Sequence, residues 1–326
     1  MKTISVVIPC YNEERCVDEM YSRLMAVLEE EPEYDYEIIF VDDFSSDHTR
    51  DKIEALCRID KNVKAVFNAR NFGFTRNVFQ SMLYASGDAV FLLFGDLQDP
   101  PEMLHEFLRR WESGKKVIVG QRCKSEEVWI MRCARRLYYF LIDKMADAPQ
   151  ISLANGFGLY DRSFLNVLAE IEDIEPFFKT IVGEYGMDLD IVPYEHARSR
   201  RGKSNFNFWK NYDFAMQGLT SSTKLLMRLA TFIGCLVGIV CLLLSIFVFV
   251  NKLLNWEHYQ VGDASLAIGI FFLGSIQLFF LGILGEYILS INRHIQRKPH
   301  VVVGRRINFD EAEDEQEKEL VCQAGK

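Results

Sequence analysis

Five short apolar runs punctuate the first 120 residues: 4–8 (ISVVI), 36–41 (YEIIFV), 63–67 (VKAVF), 89–94 (AVFLLF) and 116–119 (KVIV). Each is rich in β-branched or aromatic residues and bounded by polar residues, glycine or proline, which predicts buried strands. Between them apolar residues recur at helical spacing. The pattern predicts helices over 13–29, from an N-cap at Asp47 or Ser46 to about Ile59, over 74–85, and from Pro100-Pro101 onward. Continuous apolar strands alternating with helices predict a parallel sheet covered on both faces.

Polar residues gather where these strands end: Tyr11-Asn12-Glu13, Asp42-Asp43, Arg70-Asn71, Asp96 with Gln98 and Asp99, and Gln121-Arg122. Ligands of open α/β sheets bind at the carboxyl ends of the strands. The clustering therefore predicts a site there.

Beyond the sheet, Met131, Leu137, Tyr138, Leu141, Ile142 and Met145 interleave with Arg132, Arg135, Arg136 and Lys144. This predicts an amphipathic helix over about 125–146, packed on the sheet or lying on a membrane surface. Residues 198–204 (RSRRGKS) form a basic loop. Its Gly-Lys-Ser lacks the spacing of a phosphate-binding P-loop, but its cations suit a lipid phosphate. Two runs, 229–250 and 264–285, contain no charged residue over 22 positions each. As helices each would span about 33 Å, which predicts two membrane spans. Lys224 and Arg228 precede the first, and Arg293, Arg297, Lys298, Arg305 and Arg306 follow the second. The connection 251–263 has one Lys. The positive-inside rule then predicts a multi-pass protein of the cell (inner or plasma) membrane, with both termini and the N-terminal domain in the cytoplasm.

Composition agrees with a folded chain. Its 326 residues are 49% hydrophobic and 25% charged, which excludes a disordered, collagen-like or disulfide-scaffold chain. The net charge is −9, and residues 310–319 alone carry −6, reading as a solvated acidic tail. This balance argues against a nucleic-acid partner. Eight cysteines show no CxxC and no metal-ligand spacing, so reduced, cytosol-facing thiols are expected. No secretory signal is expected, because Met1 to Thr3 lead straight into a strand.

In order, SVVIPCYNEE, VDDFSSDHT, RNFG, DLQDPPE and GQR, followed by two apolar spans, resemble the family 2 glycosyltransferases of the GT-A fold. Within that family the chain is similar to the polyprenyl-phosphate branch, the dolichyl-phosphate mannose synthases and bactoprenol glucosyltransferases, up to about residue 303. The resemblance implies a GT-A, Rossmann-like α/β domain with a mostly parallel sheet at 1–165. An acceptor-side region at 166–224, two transmembrane helices within 225–290, and a juxtamembrane segment with the tail at 291–326 would follow. It implies inverting transfer of a sugar from a nucleotide-sugar, a UDP-hexose by the same resemblance, to undecaprenyl phosphate. Pro9, Tyr11, Glu13, Asp42, Asp43, Arg70 and Asn71 would bind the nucleotide-sugar. Asp96 and Gln98 would hold Mg²⁺ or Mn²⁺, and Asp96 and Arg122 would be catalytic. Arg135, Arg136, Arg198, Arg200, Arg201 and Lys203 would hold the acceptor phosphate. Asp99, before two prolines, reads as a helix cap. A homo-oligomer is compatible with two spans.

Three positions depart from the family pattern. Phe94 stands where an Asp is common, Asn155-Gly156-Phe157-Gly158 replaces Gly-Asp-Phe-Arg, and Phe44 replaces a Gly. The acid missing at Gly156 matters less for a phosphate acceptor. Such a monoester is largely dianionic at neutral pH and attacks without a general base, whereas a sugar hydroxyl needs one. The alternatives are sugar transfer to a lipid-linked glycan in surface-polysaccharide assembly, and a non-catalytic membrane scaffold that binds nucleotide-sugars.

Overall fold

A computed structural model of the chain describes residues 1–122, 154–171, 178–195 and 299–309, with scattered helical positions between 236 and 291. The fold is α/β and built on one eight-stranded sheet. The strands are β1 (Lys2–Cys10), β2 (Tyr34–Asp42), β3 (Val63–Asn68), β4 (Ala89–Leu92), β5 (Val117–Arg122), β6 (Ala154–Asp161), β7 (Leu189–Tyr194) and β8 (Val303–Ile307). Their order across the sheet is β7-β5-β6-β4-β1-β2-β3-β8.

All five strands expected from the apolar runs are present. Both side-chain faces of β1 are buried from Ile4 to Cys10, so helices cover the sheet on both sides, as a continuous apolar run requires. The helices are α1 (Val17–Glu29), α2 (Thr49–Ile59), α3 (Phe74–Leu83), α4 (Leu104–Glu112), α5 (Arg162–Ala169) and α6 (Phe178–Tyr185). α2 begins later than expected, with His48 at the cap position. Asp47 still accepts the Thr49 N–H at 3.0 Å, satisfying one of the orphan donors of the first turn.

The sheet is more mixed than expected. Four pairings are parallel, but β6 runs antiparallel to both β4 and β5, and β8 antiparallel to β3. The sheet also draws strands from beyond residue 165: β7 comes from the expected acceptor-side region and β8 from the expected juxtamembrane segment. Cys10, Cys16 and Cys57 are buried.

Among the described residues, no helix is long and apolar enough to cross a membrane. The expected spans at 229–250 and 264–285 lie mostly outside the described residues, as do the 125–146 helix and the acidic tail. The described positions Leu273, Leu281 and Leu284 of the second run are helical and exposed.

Candidate active site

Three non-glycine residues in the left-handed region mark the carboxyl ends of β1, β2 and β4: Asn12 (φ 57°), Phe44 (φ 64°) and Leu97 (φ 56°). Such conformations are uncommon outside glycine and concentrate at functional sites, where surrounding structure enforces them. Phe44 therefore occupies a glycine-like conformation at the position where relatives were expected to carry glycine. The Arg50 guanidinium lies 4.9 Å from its ring.

Hydrogen bonds zip the loops after β1 and β2 together. Asn12 N–H donates to Ser45 Oγ at 2.8 Å, and Ser46 N–H donates to Asn12 Oδ1 at 2.8 Å. Glu13 N–H donates to Thr49 Oγ1 at 2.7 Å. Both expected base-pocket acids face this scaffold. Asp42 is fully buried; it accepts from Ser45 N–H at 3.0 Å, from Ser45 Oγ, and from Arg50 Nε at 2.6 Å. Asp43 accepts from Asn68 Nδ2 at 2.9 Å, Phe72 N–H at 3.0 Å and Gly73 N–H at 2.9 Å. Burial pushes the Asp43 carboxyl above the usual range, and these donors only partly offset it.

Pro9, Glu13, Asp42 and Asp43 are all buried at the carboxyl ends of β1 and β2. Tyr11 is partly exposed, and Arg70 and Asn71 are exposed. These three remain accessible to a nucleotide. Arg70 lies over the Phe72 ring at 4.9 Å, on the loop that Asp43 anchors.

After β4, Asp96 and Gln98 share a turn in which the Gln98 N–H donates to Asp96 Oδ1 at 3.2 Å. Both side chains are partly exposed. Phe94, in place of the first acid, is 8% exposed and packs on Phe74 with ring centroids 5.5 Å apart. Among the described residues no cluster of three or more His, Cys, Asp or Glu could hold a metal. One carboxylate beside a carbonyl-bearing side chain nevertheless fits Mg²⁺ or Mn²⁺, since such ions take much of their octahedral shell from phosphate oxygens and water.

Asp99 is not a helix cap. The 3₁₀ turn Pro101–Met103 has no side-chain cap, and Asp99 is 1% exposed. It accepts from Asn155 Nδ2 at 2.8 Å and from the Tyr194 hydroxyl, and it lies 3.8 Å from Arg122 Nη2. Arg122 Nε in turn donates to the Tyr194 oxygen at 3.3 Å. Asn155 and Tyr194 were not foreseen. They stand 56 and 95 positions from Asp99, and no local pattern links them.

The departures at 156 and 158 are built into β6. Gly156 has φ +99°, and a Cβ there would lie 3.0 Å from Phe178 Cδ1. A Cβ at Gly158 would collide with the Ile118 carbonyl oxygen. The expected acceptor-phosphate residues Arg135, Arg136, Arg198, Arg200, Arg201 and Lys203 lie outside the described residues.

Residues 5–168 match the model of glycosyl transferase family 2. The chain belongs to this family. It is similar to an uncharacterised glycosyltransferase of Synechocystis, at 30% identity over 92% of this chain and 94% of that one. It is also similar to the SfII prophage-derived bactoprenol glucosyl transferase of Shigella flexneri, at 31% identity over 92% of this chain and 97% of that one. A solved glucosyl-3-phosphoglycerate synthase of Mycobacterium tuberculosis, in complex with Mn²⁺, UDP and phosphoglyceric acid, aligns with a TM-score of 0.46. Identity there is 17%, over 67% of this chain and 76% of that chain. The family match over residues 5–168 makes the protein a family 2 glycosyltransferase. The partly or fully exposed polar residues Tyr11, Arg70, Asn71, Asp96, Gln98 and Arg122 of this chain lie at or after the carboxyl ends of β1, β3, β4 and β5.

Proposed function

We propose that this family 2 glycosyltransferase moves a hexose from a UDP-sugar to undecaprenyl phosphate, with inversion, at the cytoplasmic face of the membrane. The runs 229–250 and 264–285 serve as membrane helices, and both termini face the cytoplasm. The observation that carries the reading is that a partly exposed carboxylate turn, Asp96 to Gln98, and Arg122 lie at the same carboxyl edge of one sheet. It is supported by similarity to a bactoprenol glucosyl transferase over 92% of the chain.

In this reading Tyr11, Arg70 and Asn71 contact the nucleotide. Asp96 and Gln98 would hold Mg²⁺ or Mn²⁺, which when bound neutralises charge on the diphosphate. Arg122 offers a forked, permanently charged donor set to a phosphate. A lipid phosphate oxygen attacks the anomeric carbon as the bond from that carbon to the nucleoside diphosphate breaks. No proton need leave the attacking oxygen, because the monoester is largely dianionic above pH ~6. A site without an acid at Gly156 is therefore sufficient. The basic residues at 135–136 and 198–203 would draw the lipid phosphate to the site.

The test is release of nucleoside diphosphate by the purified chain in detergent, with a panel of UDP- and GDP-sugars and Mg²⁺ or Mn²⁺. Release that requires undecaprenyl phosphate is the expected result. Release that requires a lipid-linked glycan instead, with undecaprenyl phosphate inert, would overturn the acceptor assignment.

A further inference from the structure

Arg122 and Tyr194 are direct cross-strand neighbours in the parallel register of β5 and β7. Tyr194 is 4% exposed, and two features fix its ring. It packs edge-on against Phe157 with centroids 5.2 Å apart. It also crosses the backbone at Gly120, where a Cβ would come within 2.9 Å of Tyr194 Cε1. The glycine thus makes room for the ring that carries the hydroxyl.

Among the described residues, that hydroxyl meets partners of opposite kind. Its oxygen accepts from Arg122 Nε, and its proton goes to Asp99. Burial, followed by the nearby Asp99 charge, raises the Tyr194 pKa far above the ordinary phenol, so the proton stays on Tyr194. Asn155 Nδ2 holds the other Asp99 oxygen. Arg122 Nη2 is 3.8 Å from Asp99, close enough to feel its charge but outside hydrogen-bond distance. With Nε engaged and the guanidinium planar, the direction of the two Nη groups is set. Among the described residues no hydrogen bond donated by Nη1 is found.

We propose that Tyr194 and Asp99 are positioning residues that aim the Arg122 guanidinium at a phosphate group of the substrates, and that they affect the reaction through Arg122. The proposal rests on the reading of Arg122 as a phosphate ligand. The phosphate is either the donor diphosphate or the lipid phosphate, and both carry the chemistry that a fixed guanidinium fork recognises.

The test uses the full chain in detergent with three variants: Arg122→Ala, Tyr194→Phe and the double variant. Tyr194→Phe removes one hydroxyl and keeps the ring on Phe157. Two arms separate the phosphates: calorimetric binding of UDP with Mg²⁺, and the KM for undecaprenyl phosphate at saturating donor. Tyr194→Phe is expected to weaken one arm about tenfold, the scale for losing a hydrogen bond to a charged group. The other arm and the thermal midpoint should stay near wild type. In the Arg122→Ala background the same change is expected to have no further effect. A tenfold loss that persists without Arg122 would overturn the proposal by showing that Tyr194 acts by another route. So would wild-type behaviour of Tyr194→Phe beside an impaired Arg122→Ala. An unimpaired Arg122→Ala would instead overturn the reading of Arg122 itself. Asp99→Asn provides a second check: it drops the charge and leaves one acceptor oxygen where Tyr194 and Asn155 now use two, and should weaken the same arm as Tyr194→Phe.

Discussion

Phe94 and Phe74 face each other across the mouth of the site, ring centroids 5.5 Å apart and planes inclined at 32°. Phe94 is 8% exposed while Phe74 is 48% exposed, so the pair puts an apolar wall where relatives were expected to carry an acid. Restoring that acid should therefore harm the fold. Phe94→Asp is expected to cost about 3 kcal/mol, from lost packing and a carboxylate placed against an aromatic ring. Phe94→Leu should cost about 1 kcal/mol. Urea unfolding of the three proteins checks this, and equal midpoints for wild type and Phe94→Asp would refute it.

The same logic applies at Gly156. Its φ of +99° and the Phe178 ring beside it leave an aspartate neither a relaxed backbone nor space. Gly156→Asp is expected to lose about 2–3 kcal/mol, and Gly156→Ala nearly as much, because both introduce a Cβ at a positive φ. Thermal unfolding of the two variants would show it. A fully stable Gly156→Ala would mean that the turn relaxes easily.

Arg50 ties the ends of β2 and β3 together, donating to Asp42 Oδ2 at 2.6 Å and to the Asn68 carbonyl at 2.9 Å. Its removal leaves the Asp42 carboxylate buried without this cation. Arg50→Ala is expected to cost about 3 kcal/mol and to weaken UDP binding by disordering the wall built on Ser45. Pairing it with Asp42→Asn should recover part of the stability, since the stranded charge is then gone. A double variant no more stable than Arg50→Ala would contradict this.

Asp161 caps α5, accepting from Ser163 N–H at 2.9 Å and Trp111 Nε1 at 2.8 Å. Burial acts to raise its pKa, but hydrogen bonds from Ser163, Trp111 and Lys116 outweigh this and hold it at about 2. The folded value lies below the unfolded one, near ~3.9. Its contribution is thus complete above about pH 4 and is lost as pH falls through about 2. Asp161→Asn should lower stability at pH 7 by about 1–2 kcal/mol. The gap from wild type should narrow between pH 4 and 2.5 in denaturant titrations. A gap that stayed constant would exclude the ionised cap as its source.

The strands readable from sequence were those with both faces buried, where hydrophobicity is continuous. β6 was hidden because its Gly156 and Gly158 carry no strand propensity; they are there for close approach to Phe178 and to β5. β7 contains Pro193, tolerated at an edge but a signal against a strand. β8 carries Arg305 and Arg306, the charged dress of an edge strand. The location of the site was legible because polar residues follow each parallel strand. The division of labour within it was not. The string VDD marks Asp42 and Asp43 as site residues, but not the donors from Ser45, Arg50, Asn68 and Gly73 that hold them in place. Asp99 looks like a cap until β7 and β6 bring Tyr194 and Asn155 to it.

β7 and β8 are the two outermost strands. The chain leaves the sheet after one margin, at Glu195, and returns at the other through Pro299. Eight strands spaced at about 4.8 Å set those margins about 34 Å apart. The chain thus leaves the sheet at one rim before residue 196 and rejoins it at the other after residue 298. At the return rim Arg305 pairs with Glu54 at 2.8 Å, and the Asn308 side chain donates to the carbonyls of Cys57 and Val63 at 2.8 Å. Beside it Ala69 N–H donates to the Val302 carbonyl at 2.9 Å, next to Arg70. Tension along the intervening chain would enter the sheet at both margins rather than at one.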